Sequence, residues 1–94
     1  MIDQFMVEKS WKSRGFSFGI WEDPPGKIWE NYVHDEDELF MLAQGEVTLI
    51  LGKKTLTPAV GKEIFIPAGV VHTVKTNQSC SSRWYYGYGK FQVE

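Results

Sequence analysis

The sequence predicts an all-β protein, a sandwich or barrel of short strands, on three observations. No long segment shows clean 3.6-residue periodicity. Short stretches rich in β-branched and aromatic residues recur instead. Gly and Pro punctuate them at regular spacing. No internal repeat, low-complexity segment or interdomain linker is visible. Residues 1–94 therefore read as one domain, with 1–27 as N-terminal strands and a turn ahead of the main barrel.

Taken in order, Phe5 to Val7 and Phe16 to Trp21 are the first strand candidates, separated by polar residues 9–14 and Gly15. Asp23-Pro24-Pro25-Gly26 is a strong turn, because the prolines fix φ and remove donors while glycine relieves the geometry. Trp21 and Trp29 flank this turn and read as packing residues. Strands are expected at Ile28 to His34, Glu38 to Ala43, Glu46 to Leu51, Lys54 to Thr57, Glu63 to Ile66, Val70 to Lys75 and Arg83 to Gln92. One segment has a helical alternative. Residues 35–38 resemble an acidic helix start before the apolar run Leu39 to Ala43, and Gly45 could end it.

Alternation along a strand puts Phe40 and Leu42 on the Glu38 face and Leu39 and Met41 on the other. Both faces are apolar, so this strand needs cover on both sides, from another subunit or the N-terminal strand. The same alternation groups Trp84, Tyr86 and Tyr88 on one face, expected in the interior.

Composition narrows the function classes. The 94 residues are 43% hydrophobic and 15% aromatic, as in a folded globular protein. A core this small gains from a partner subunit or a bound metal. The net charge is −2 with scattered Lys and Arg, which offers no basic footprint for nucleic acid. No apolar run approaches the ~20 residues that span a bilayer, and residues 1–5 lack the features of a signal peptide. Cys80 is the only cysteine and lies in a serine-rich loop, which suggests a reducing cytoplasm rather than a disulfide framework or a nucleophile.

The chemistry-bearing residues concentrate around His34 and His72, the only two histidines. Tyr32 and His34 share strand parity, and a carboxylate, Glu38, follows four residues after His34. Two imidazoles and one carboxylate that converge can hold a divalent ion. His34, three residues, Glu38, six residues and Gly45 form one spacing pattern; Gly61, five residues, Pro67, one, Gly69, two and His72 form a second. The glycines and the proline read as turn residues that aim the ligand strands.

These two patterns resemble the paired motifs of a small single-domain cupin of the conserved-barrel type. The stretch between them, residues 46–60, is short, as in compact members, and Asn77 falls one residue later than the family's asparagine. The resemblance implies a double-stranded β-helix, or jelly-roll barrel, and removes the helical alternative at residues 36–43. It implies one interior divalent metal (Fe, Mn, Ni or Zn) on His34, Glu38 and His72, with Phe40, Trp84 and Tyr86 lining the pocket. Tyr32 occupies the place of the family's first histidine and becomes a fourth ligand or a substrate contact. The function implied is binding of, or action on, a small polar molecule at the metal, by an oxygenase, isomerase or lyase in a cytoplasmic homodimer. The Tyr32 departure favours a non-catalytic binding or sensor module as the alternative, and a vestigial barrel is a third.

Overall fold

The computed structural model describes residues 3–90. In chain order these form helix α1 (Gln4–Ser13) and strands β1 (Gly19–Asp23), β2 (Ile28–Tyr32), β3 (Asp37–Gln44), β4 (Val47–Leu51), β5 (Lys54–Leu56), β6 (Glu63–Ile66), β7 (His72–Thr76) and β8 (Ser82–Gly89). The strands make two antiparallel four-stranded sheets, ordered β1-β8-β3-β6 and β2-β7-β4-β5, in a jelly-roll arrangement. Of the last expected strand, Phe91 and Gln92 lie outside the described residues.

Two apolar layers hold these elements. Phe40 and Leu42 of β3, Val47 and Leu49 of β4, Ile66 of β6, Val74 of β7 and Trp84 of β8 form the core between the sheets. A second cluster, Trp11, Phe16, Leu39, Met41 and Tyr85, lies on the opposite face of β3. Alternation along β3 thus feeds both layers, as the apolar run predicts.

The N-terminal expectation is corrected. Phe5 to Val7 belong to α1 rather than a strand, and β3 takes its second cover from that helix and the segment after it. Local chemistry explains the helix. Asp3 is the N-cap, and its Oδ1 accepts from the backbone N–H of Phe5 and Met6 at 3.0 and 3.3 Å. Glu8 and Lys12 pair at 2.7 Å one turn apart. At the far end, Gly15 N–H donates to the Lys12 carbonyl and Phe16 N–H to the Trp11 carbonyl, a Schellman closure. Val7 and Trp11, four residues apart, are the helix positions that reach the sheet.

The segment after the helix crosses β8 at close range. Ser17 N–H donates to the Tyr88 carbonyl and Tyr88 N–H to Ser17 Oγ, both at 2.9 Å. A Cβ on Gly87 would collide with the Ser17 carbonyl oxygen, so only glycine permits this crossing. Trp11 is 1% exposed, and its indole N–H donates to Glu63 Oε1 of β6 at 2.9 Å. Arg14 pairs with the same carboxylate, its Nη1 lying 3.1 Å from Oε2.

Trp11→Ala should cost about 3–5 kcal/mol in denaturant unfolding, since it empties the centre of the outer layer. The Arg14 hydrogen bond holds the Glu63 carboxyl below its ordinary value of 4.5, helped by Trp11 and opposed by burial. Its contribution is therefore present above pH 4.5 and lost as pH falls through the lower folded value. Glu63→Gln should flatten this part of the acid limb of a melting-temperature profile; an unchanged limb would contradict the assignment.

Candidate metal centre

Three chain segments meet at one end of the space between the sheets. His34 lies just beyond β2, Glu38 is the second residue of β3, and His72 begins β7. Antiparallel register sets Glu38 opposite Tyr88 on β8 and His72 opposite Tyr32 on β2. The motif turns are tied together by hydrogen bonds: Gly69 N–H donates to the His34 carbonyl at 2.9 Å, and Ala68 N–H donates to Asp37 Oδ1 at 2.8 Å. Gly69 has φ of +81°, a conformation that favours glycine. Asn77, one residue late for the motif, serves a turn: its Nδ2 donates to Glu46 Oε2 and its Oδ1 accepts from Ser79 N–H.

One ligand-capable atom each from His34, Glu38 and His72 lies within 4.8 Å of the others. Glu38 Oε1 faces both imidazoles, 3.4 Å from His34 Nε2 and 3.6 Å from His72 Nε2. These separations lie in the ion-pair range, yet Oε1 is buried and has no hydrogen-bond partner. An orphaned buried carboxylate oxygen is uncommon, because desolvation is then uncompensated. Burial pushes the Glu38 carboxyl up to about 7. Burial also lowers His34, with the facing His72 adding to the effect and Asp35 opposing it. His72 Nδ1 lies 3.2 Å from the Val70 carbonyl, which can only accept, so the contact suits a proton on Nδ1, and in the neutral ring that leaves the Nε2 lone pair toward Glu38. A mixed imidazole and carboxylate set with one oriented imidazole and an unsatisfied buried oxygen fits a divalent cation.

A cavity of about 280 Å³ opens beside these residues. Phe40, Trp84 and Tyr86 stand on its wall, together with Tyr88, the third aromatic of the β8 face set. Tyr88 Oη lies 3.4 Å from His34 Nε2, and burial, then the nearby Glu38, raises its phenol to about 12. Tyr32 also borders the cavity, 42% exposed, with its ring stacked at 6.4 Å and 28° on His34.

Trp21 and Trp29 correct the packing-only expectation, since both line the cavity. Trp29 and Tyr32 are three residues apart, and regular alternation would turn them to opposite faces. A register shift between them, with Asn31 at φ of +55°, brings both to the cavity. Asn31 N–H donates to Thr73 Oγ1 at 3.0 Å, which anchors the irregularity. Asp23, which the sequence places only at the start of the proline turn, instead closes strand β1. It is 5% exposed and accepts both indole N–H groups, Trp21 at 2.9 Å on Oδ1 and Trp29 at 2.7 Å on Oδ2. The available signal was the Trp-x-Asp spacing, which sets residues 21 and 23 on one strand face.

A two-sheet antiparallel jelly roll with histidines and a glutamate converging inside one end defines a class of small barrel proteins. The cupin domain profile matches residues 19–86, and the chain belongs to the cupin family. An uncharacterised protein of Streptomyces coelicolor is 28% identical over 61 residues, which are 65% of this chain and 58% of that one. The chain thus spans less than two thirds of that relative's length. A solved protein of Thermus thermophilus superposes with a TM-score of 0.71 at 22% identity, covering 82% of this chain and 75% of its own. A polyketide cyclase of Streptomyces resistomycificus superposes at 0.71 and 22%, covering 80% of this chain and 54% of its own. At these identities the likeness is one of fold. Among the described residues, no helix is long and apolar enough to cross a membrane.

Proposed function

We propose that this cupin holds one divalent metal ion on His34, Glu38 and His72 and binds a small molecule beside it in the aromatic cavity. The carrying observation is Glu38 Oε1, buried without a hydrogen-bond partner between two imidazole nitrogens. A divalent cation would satisfy that oxygen and both lone pairs at once. Polarisation of a ligand oxygen is the chemistry such an ion supplies when bound. The chain's own residues provide the rest. The Val70 carbonyl fixes the His72 tautomer. Tyr88 Oη stands beside His34 as a neutral donor for a ligand oxygen. The aromatic wall sets apolar ring surface beside the donor end.

A non-catalytic binding module is the second reading, and Tyr32 favours it. The position where the family resemblance expects a histidine carries a ring stacked on His34. A site with fewer protein ligands can retain binding without turnover. A cytoplasmic homodimer also belongs to the proposal, supported by the lone Cys80 and by exposed Ile28, Val33 and Val71 on and beside edge strand β2.

Elemental analysis of protein reconstituted with Mn²⁺, Fe²⁺, Ni²⁺ or Zn²⁺ should find one ion per chain. His72→Ala should drop to background while keeping its circular dichroism spectrum. A wild-type chain that retains none of the four metals would defeat the proposal. Sedimentation velocity should report a dimer, and a monomer at all concentrations would remove that part.

A further inference from the structure

The cavity walls are unlike those expected around a small polar guest. Besides the three metal-site residues and Val74, every side chain lining it is aromatic. Its outer part is built from two edge strands, one from each sheet. Trp21 on β1 and Trp29 on β2 meet edge to face at 5.8 Å and 71°. Trp29 then meets Tyr32 at 5.6 Å and 64°. Tyr32 reaches His34, so an unbroken run of rings leads from the outer wall to the metal site.

The two indoles are held by a buried charge. Asp23 accepts both N–H groups, one on each oxygen, as charge-assisted hydrogen bonds. Burying a carboxylate is costly, and apolar packing would join two edge strands more simply. The carboxylate adds fixed ring orientation. It also engages the only polar hydrogen on each indole, so Trp21 and Trp29 present carbon surface to a guest. Lys27 Nζ already lies 4.5 Å from the Trp29 ring centroid, which disfavours a second cation against that ring. At the inner end, a divalent ion with one carboxylate ligand leaves net positive charge, which favours an anionic oxygen.

We infer that the cavity selects guests with a planar, apolar body ending in an anionic oxygen donor, aromatic carboxylates being the simplest, and that Asp23 is the positioning residue that orients Trp21 and Trp29 against that body. The inference rests on the metal-site reading for the donor end and on the aromatic wall for the body. A volume of about 280 Å³ lies at the low end for small-molecule sites, which fits one or two fused rings.

The test is calorimetry on the full chain loaded with Zn²⁺, titrated with acetate, benzoate and 2-naphthoate, so that the donor stays constant while the ring grows. Benzoate should bind at least about tenfold tighter than acetate, with 2-naphthoate tighter still and quenching tryptophan fluorescence. Asp23→Asn offers one acceptor oxygen where two indoles need one each, so the naphthoate-to-acetate affinity ratio should collapse while zinc stoichiometry stays at the wild-type value. Trp21→Leu, at a half-exposed edge position, should lower the same ratio and serves if Asp23→Asn fails to fold. Equal affinities for acetate and benzoate on zinc-loaded protein would overturn the inference and leave the metal reading intact. So would an unchanged ratio in folded Trp21→Leu. If the wild type binds no zinc, the titrations use whichever of Mn²⁺, Fe²⁺ or Ni²⁺ it retains; if it retains none, the metal reading fails, and quenching by 2-naphthoate then decides the wall alone: quenching lost in Trp21→Leu upholds it, and no quenching overturns it.

Discussion

Leu39 and Met41 point one way from β3, Phe40 and Leu42 the other, and none of the four is more than 8% exposed. A strand of this kind needs apolar cover on both faces, whereas a sheet with one solvated face would alternate polar and apolar residues. The second sheet supplies one cover. The other comes from α1 and residues 14–18, which lie across β8 because Gly87 lets the backbones approach. Burying these side chains is the main favourable term available to so small a domain. Because the cover comes from within the chain, β3 gives no reason to invoke a second subunit.

The same strand sets the chemistry. Glu38 shares parity with Phe40 and Leu42, so its carboxylate points into the space between the sheets. Strand β8 runs beside it in register and adds Tyr88 opposite Glu38 and Tyr86 opposite Phe40. A carboxylate surrounded by rings is poorly solvated, and its pKa rises for that reason. The two histidines arrive from β7 and from the loop after β2, joined by the Gly69-to-His34 hydrogen bond. Desolvation of Glu38 and convergence of the imidazoles are thus two results of one strand arrangement.

What was legible in the sequence follows from which interactions are local. The strand pattern from β2 onward, the turn at Pro24–Gly26, and the grouping of His34 and Glu38 with His72 all rest on short spacings or on motif spacing. The two-sided burial of β3 was equally plain in its apolar run. Helix α1 reads locally as a strand, although its cap Asp3, its terminating Gly15 and the Val7–Trp11 pair are all visible in the sequence. Exposed Phe5 and Met6 interrupt its apolar stripe and mimic a short strand. The placement of Trp21, Trp29 and Asp23 depends on two edge strands of different sheets meeting across a proline turn, of which the sequence carries only the Trp-x-Asp spacing. The shift at Asn31, which turns Trp29 and Tyr32 to one side, is likewise a tertiary event that strand parity contradicts.

Tyr32 joins these strands of argument. It stands directly across from His72 in the β2–β7 ladder, where the family resemblance expects a third imidazole. Its ring lies between Trp29 and His34, bridging the outer aromatic pair and the His34–Glu38–His72 cluster. With histidine there the site would gain a nitrogen donor and keep a smaller, more polar wall. With tyrosine it gives up a donor and gains a larger, less polar surface at the border of the cavity. The polar contact to His34 falls instead to Tyr88 from the other sheet. One residue therefore shifts the site in two coupled directions, toward fewer candidate donors around His34, Glu38 and His72 and toward a more apolar surface beside them.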